Sequence, residues 1–322
     1  MGDSDLKMEI KRIQFRDFLT EQNQGWKLSA DNYSGLDHVE EKTFLIGGYE
    51  IKVQFNPERI RSSSAKVDKD SISARKCFLC SENRPVEQNK LDMGNDFLLL
   101  VNPFPIFKTH FTLPSVHHIP QLLISALDAM FDISRQMQDY LLFYNGPECG
   151  ASAPDHLHFQ AGETGFLPVE QEFNSLKKTA GSLILESKHL NIWAFDQYLR
   201  KMISFETGSI QMGIRTIETI LNCLGKIQPG KAEPMVNLLC YYKNGKWIVH
   251  LFPRKMHRPT QFFAHGTDQL LISPASVDFG GVFITPRRDD FDKITAADVT
   301  DIFSQVSLDD ENFELLKRSL TN

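Results

Sequence analysis

The segment His156-Leu157-His158-Phe159-Gln160 constrains this chain more than any other. Successive side chains of a strand point to opposite faces, so alternation of polar and apolar residues marks a strand with one buried side. Leu157 and Phe159 then face a core, while His156, His158 and Gln160 face the other way together. A small polar loop precedes them, Asn145-Gly146-Pro147-Glu148-Cys149-Gly150-Ala151-Ser152. Backbone N–H groups of such a loop can hold anionic oxygens. Neutral imidazole attacks phosphorus well when one ring nitrogen is fixed as a donor and the other presents its lone pair. An isolated His-x-His is more often a polar face of a solvated strand. Here the loop and an upstream cysteine pair favour phosphate chemistry.

The chain is 322 residues long, enough for about two domain-sized units. Its 41% apolar and 24% charged content is ordinary for a soluble globular protein. A net charge of -6 argues against a sequence-independent grip on nucleic acid. The opening Met1-Gly2-Asp3-Ser4-Asp5 carries no secretory signal. The most apolar run, Phe97 to Val101, falls far short of the ~20 residues that span a bilayer. Five cysteines, few and odd in number, suit a reduced cytoplasmic protein rather than a disulfide framework. The expectation is therefore a cytoplasmic protein with neither a nucleic-acid nor a membrane partner.

Along the chain, a helix is expected near Lys7 to Thr20. A hairpin follows, from Thr43 to Phe55 about Gly47-Gly48. Residues Asn56 to Lys76 read as exposed loop. Strands are expected at Phe97 to Val101 and His110 to Leu113, then a helix from Pro120 to about Tyr140 and a strand from Tyr140 to Tyr144. After Thr164 comes a Pro- and Glu-containing loop, then helices at Ile192 to Ile203 and Ile210 to Leu224. Strands at Met235 to Tyr242 and Trp247 to Phe252 flank the hairpin signal Asn244-Gly245. A last strand, Gly281 to Thr285, leads to a helix opened by the capping box Thr295-Ala-Ala-Asp298. The stretch from His110 to Pro120 also matches that from His250 to Pro259, aligning His118 with His257, as a duplicated unit would.

Cys77-Phe78-Leu79-Cys80 is a CxxC, which alone allows a zinc half-site, a redox pair or two core residues. No adjoining βαβ pattern supports the redox reading.

Taken together, Asn145 to Gln160 resembles the active-site segment of the histidine-triad superfamily. The resemblance is to the nucleotidyltransferase branch, where glutamine replaces the third histidine. Galactose-1-phosphate uridylyltransferase, diadenosine tetraphosphate phosphorylase and GDP-hexose phosphorylase belong to it. The resemblance implies that His158 becomes nucleotidylated and that Gln160 stabilises the transferred phosphate. Asn145 and Ser152 would contact that phosphate, with Gly150 in the loop around it. Ser152 stands one residue farther from the first histidine than in the uridylyltransferases. Asn102 and Pro103 resemble the part of the fold that lines the nucleoside pocket, and Arg59 and Lys66 lie in a basic segment placed like one near the nucleotide. Arg59, Lys66, Arg254 and Arg258 can equally be solvated basic residues.

The resemblance further implies a structural zinc held by Cys77, Cys80, His118 (or its neighbour His117) and His156. The uridylyltransferases' second metal site uses an HxH pair. His250, His257 and His265 supply none, so that metal is not expected.

The fold expected is α+β and histidine-triad-like, with two related lobes, each a largely antiparallel sheet flanked by helices. Residues 1–75 form an N-terminal extension and hairpin, 76–180 the catalytic lobe, and 181–322 a second, degenerate lobe. Pairing of lobes within one chain allows a monomer as well as a homodimer. The function implied is nucleotidyl transfer or phosphorolysis on a nucleoside diphosphate sugar, with phosphate or a sugar phosphate as co-substrate. Phosphorolysis of dinucleoside polyphosphates is the alternative among enzymes. A nucleotide-binding protein without turnover is the alternative outside them.

Overall fold

The computed structural model describes residues 3–60 and 68–321, without side chains for 3–13 and 69. Helices α1 (Asp3–Gly25) and α2 (Lys27–Gly35) precede strands β1 (Glu40–Ile46) and β2 (Tyr49–Phe55), which turn at Gly47 and Gly48. Both glycines have positive φ, which a tight two-residue turn requires. A 3-10 turn at Pro57–Arg59 and helix α3 (Lys69–Ala74) occupy part of the expected loop.

Strands β3 (Lys90–Gly94), β4 (Phe97–Val101), β5 (His110–Pro114), β6 (Tyr140–Asn145) and β7 (His158–Glu163) form half of a ten-stranded sheet. Helix α4 (Leu127–Gln136) lies between β5 and β6. After α5 (Pro168–Thr179) come β8 (Ser182–Glu186), β9 (Leu190–Phe195), β10 (Met202–Thr207), α6 (Ile210–Ile227), β11 (Val236–Lys243) and β12 (Lys246–Pro253). The sheet order is β3-β4-β5-β7-β6-β11-β12-β10-β9-β8, antiparallel at every pairing. Read inward from either edge, the strands run first, second, third, fifth, fourth in chain order, with a helix between the third and fourth. Two lobes of one topology therefore meet at β6 and β11 as a single sheet.

This repeat is not the one suggested by the short sequence match. The match pairs β5 with β12, but their topological counterparts are β10 and β7. Both matched segments are strands that run into a proline-containing loop, and local composition alone makes them alike.

One face of the sheet packs on α1, α4, α6 and α11 (Asp310–Ser319). The other face packs on α5, α10 (Ala296–Val306) and a three-stranded sheet in which β13 (Val282–Thr285) pairs in parallel with β2. Short helices α7 (Thr260–Phe263), α8 (Ser276–Phe279) and α9 (Arg288–Lys293) connect this layer. The capping box at α10 is present: Asp298 N–H donates to Thr295 Oγ1 at 3.2 Å, and Thr295 N–H to Asp298 Oδ2 at 2.8 Å.

Three sequence expectations fail for identifiable reasons. No helix starts at Pro120. A 3-10 turn at Leu123–Ala126 precedes α4, because the backbone before it is drawn toward the histidine segment. Leu157 N–H donates to Ile119 O at 2.7 Å, and Gln121 N–H to Pro154 O at 3.2 Å. The helix expected at Ile192 to Ile203 is instead β9 and β10, buried on both faces, where apolar continuity conceals the two-residue period. The loop expected after Thr164 is largely α5, with Pro168 in its first turn and Glu170 accepting the Leu167 N–H at 3.1 Å.

Candidate active site

The histidine segment is only partly strand. β7 begins at His158, and His156 sits in a turn closed by its N–H on Ala153 O at 3.1 Å. The shared face expected of the three polar residues is therefore divided. Leu157 and Phe159 enter the helix-covered core as expected.

His156 reaches toward the cysteine pair. Its Nδ1 lies 3.3 Å from Cys77 Sγ and 3.6 Å from Cys80 Sγ, and His118 Nδ1 lies 3.1 Å from Cys80 Sγ. The four ligand atoms all fall within 4.8 Å of one another. His117 is elsewhere, exposed, with Nε2 3.8 Å from Asp96. Two sulfurs and two imidazole nitrogens at this spacing suit a tetrahedral d¹⁰ cation, whose ligand edges fall at roughly 3.3–3.8 Å. The outer contacts suit it too: His156 Nε2–H donates to Ser115 O at 2.8 Å, and Asp155 stands 3.7 Å from His118 Nε2. Without a cation, burial and the neighbouring Cys77 push the Cys80 thiol up to about 11. A bound cation would reverse that direction.

His158 points the other way, into a cavity of about 580 Å³. Its Nδ1–H donates to His156 O at 2.8 Å, which fixes the tautomer and leaves the Nε2 lone pair unprotonated. Burial lowers its pKa to about 4, against a raising effect from that carbonyl bond. The ring is therefore neutral at pH 7.

Gln160 lines the same cavity, and its Oε1 accepts from Asn102 Nδ2 at 3.2 Å and His110 Nε2 at 3.0 Å. Those two donors orient the amide with its NH₂ as the end left for a ligand. Asn102 is itself held by Thr112 Oγ1 and by the Phe104 N–H, so it shapes the cavity wall. Asn145 Oδ1 accepts from Asn237 Nδ2 and from the Ser276 N–H, which likewise reserves its NH₂, and the Ser276 hydroxyl lies between it and Tyr144 O. Gly150 has φ +95, and a Cβ there would stand 2.7 Å from Ala275 Cβ. Only glycine suits that position.

Ser152 and Arg59 also line the cavity. Arg59 Nη1 donates to Phe104 O at 2.6 Å, and burial lowers its pKa to about 10. Lys66 lies outside the described residues.

Several residues in or behind the cavity wall carry no motif in the sequence. His110 holds Gln160, and a histidine opening the apolar strand His110-Phe-Thr-Leu was the available signal. Asp278 and Ser273 come from the second half, where no motif marks them, and His257, matched in sequence to His118, lines the same wall. Arg254 is not a phosphate contact: it is fully buried and donates to Val306, Pro274, Met256 and His257 carbonyls and to Asn237 Oδ1. On β12, the topological counterpart of β7, His250 is fully buried against Phe173 and shares a 2.8 Å hydrogen bond with Ser204.

Comparison with known proteins agrees with this architecture. Yeast Ap4A phosphorylase Apa2 superposes with a TM-score of 0.54 at 17% identity, covering 88% of this chain and 94% of that one. Its complex with AMP gives 0.53 at 18% identity, covering 88% and 96%. Its complex with Ap4A gives 0.54 at 17% identity, covering 89% and 97%. No curated protein matches in sequence. In fold, then, the chain is similar to Ap4A phosphorylase, an α+β architecture of antiparallel sheet flanked by helices. Residues 172–322 match the GDPGP1-like C-terminal domain, and residues 18–163 match a domain of unknown function, DUF4922. Among the described residues, no helix is long and apolar enough to cross a membrane.

Proposed function

We propose that this protein is a nucleotidyltransferase or phosphorylase that cleaves a nucleoside diphosphate sugar through a nucleotidyl-histidine. One observation carries the reading: His158 is buried and neutral, with Nδ1–H committed to the His156 carbonyl and Nε2 left to attack within a cavity. Nε2 bonds to the α-phosphorus as the phosphoanhydride P–O bond breaks, and sugar 1-phosphate leaves with that electron pair. The imidazole becomes cationic, and the His156 carbonyl stabilises its Nδ1–H. An oxygen of inorganic phosphate then attacks the same phosphorus. The P–N bond breaks, His158 is regenerated, and a nucleoside diphosphate departs. Gln160 and Asn145 supply amide N–H donors to the phosphoryl oxygens, and Ser152, Gly150, Asn102 and Arg59, which line the same cavity, complete the substrate contacts in this reading. The GDPGP1-like second half supports the nucleotide-sugar substrate.

Cys77, Cys80, His118 and His156 would hold zinc as a closed structural site that anchors the turn before β7. Zinc supplies no catalytic chemistry in this scheme.

Ap4A phosphorolysis is the second reading, favoured by the fold shared with Ap4A phosphorylase over most of both chains. Incubating the protein with nucleotide sugars and Ap4A labelled in the nucleotide, then recovering an acid-labile adduct, separates the two. Labelling by a nucleotide sugar and its loss in His158→Ala are expected. Labelling by Ap4A alone selects the second reading, and undiminished labelling of His158→Ala rules out the covalent step at this residue.

A further inference from the structure

Between β6 and β7 the ladder stops at Phe143 opposite Gln160. The two strands continue past that point to Asn145 and back from His158, the residues that carry the chemistry in the reading above, yet no strand pairing joins their ends. A single side chain fills the gap. Gln121 Nε2 donates to Asn145 O and to His158 O, each at 3.0 Å, and Gln121 Oε1 accepts the His158 N–H at 2.8 Å. Both amide hydrogens and the amide oxygen are thus used on backbone. Its own main chain adds a further link, N–H to Pro154 O at 3.2 Å, and its carbonyl O lies 3.1 Å from the Tyr144 hydroxyl. Gln121 is 1% exposed, and it lies behind the residues that line the cavity, its side-chain amide bonded to their backbone.

We infer that Gln121 is a positioning residue that sets the separation of His158 from Asn145, and so the alignment of the nucleophile with the phosphoryl donor. It rests on the proposed nucleotidyl transfer at His158. Near-attack geometry is sensitive: a displacement of about 1 Å can cost ~100-fold in rate. A residue that only braced the fold would lower stability and binding together. One that aligns reacting groups lowers the rate of nucleotidyl transfer while ligand binding survives.

The test compares wild type, Q121L and Q121E by three measurements: thermal midpoint, GDP and ADP affinity by titration calorimetry, and single-turnover labelling of His158 by the labelled donor. Q121L loses all three amide bonds. Its labelling rate is expected to fall ~10- to 100-fold, with the dissociation constant of the preferred nucleotide within ~3-fold of wild type. Q121E keeps the acceptor for the His158 N–H and, protonated, one donor; its labelling should recover toward wild type as pH falls. It also carries the test if Q121L does not fold. Labelling within ~3-fold of wild type in folded Q121L, or in Q121E at every pH, or affinity and rate falling in parallel, overturns the positioning role. Wild-type protein that binds nucleotide but is never labelled overturns nucleotidyl transfer itself, a distinct failure.

Discussion

His110 Nε2–H donates to Gln160 Oε1 at 3.0 Å, while His110 Nδ1 accepts the Ile106 N–H at 3.1 Å. The backbone N–H can only donate, so it fixes the His110 tautomer, and that tautomer fixes the Gln160 amide. Burial and nearby Arg59 lower the His110 pKa to about 3, so the ring stays a neutral relay rather than a charge. An amide that could otherwise flip is held with NH₂ outward by a residue fifty positions upstream.

Substitution separates the two functions of this ring. Asparagine at 110 can replace the Nδ1 acceptor but not the donor to Gln160, whereas glutamine can reach as Nε2 does. H110N is expected to slow nucleotidyl transfer by ~3- to 10-fold, the value of one hydrogen bond, and H110Q by less. Single-turnover labelling of both variants checks this; equal rates would show that the His110 donor does not orient Gln160.

The pH profile of the covalent step follows from His158. An ordinary histidine nucleophile loses activity as pH falls through about 6.5. Burial lowers His158 to about 4, so its imidazole should remain neutral and competent well below that. The labelling rate, measured from pH 5 to 8, is expected to show no acid limb near 6.5. A limb there would mean the ring is solvated in the working state.

Much of the candidate site was legible because its residues are local in sequence. Asn145, Gly150, Ser152, His158 and Gln160 lie within one loop and strand, and CxxC spacing marks the cysteines even without context. Strands β4 and β6 and the Asn244-Gly245 hairpin were legible from apolar runs and turn chemistry. What stayed hidden depends on contacts distant in sequence. The segment at Pro120 reads as a helix start, but Ile119 O and Gln121 N–H are taken up by Leu157 and Pro154. β9 and β10 are buried on both faces, so their period is masked. Ser276, Asn237 and Arg254 orient the site from the second half through backbone and amide bonds that no local pattern encodes.

Gly150 tests the loop. Its φ of +95 and the 2.7 Å approach to Ala275 leave no room for a methyl group. G150A should lose roughly 1–3 kcal/mol of stability and weaken nucleotide binding, because the strain is relieved by moving the loop that lines the cavity. Chemical denaturation and calorimetry on the same sample check both. Unchanged binding would place the loop outside the ligand's reach.

The four-residue cluster predicts its own metal content. Protein purified without chelator is expected to contain about one zinc per chain by mass spectrometry. Cys80→Ser should lose it, together with several degrees of thermal midpoint, whereas His117→Ala should keep both, since His117 stands apart by Asp96. Metal retained in Cys80→Ser at wild-type affinity would remove that thiol from the site.

Glu233 offers a stability test with a definite sign. Its Oε1 accepts the Leu123 N–H, and its Oε2 meets the Tyr144 hydroxyl at 2.6 Å. The one hydroxyl hydrogen of Tyr144 can go instead to Gln121 O at 3.1 Å, in which case a protonated Glu233 donates to the tyrosine oxygen. Burial raises the Glu233 pKa to about 7, consistent with that arrangement. Between about pH 4.5 and 7 the unfolded chain releases this proton and the folded chain keeps it, so its contribution to stability declines across that window. Glutamine copies the protonated acid: an oxygen for Leu123 and an N–H for Tyr144. E233Q should match wild type near pH 4.5 and become more stable up to pH 7, by roughly 2–3 kcal/mol. Urea unfolding at both pH values measures the gap. A gap that stays constant with pH would mean that Glu233 is ionised in the folded protein and that Tyr144 donates to it throughout.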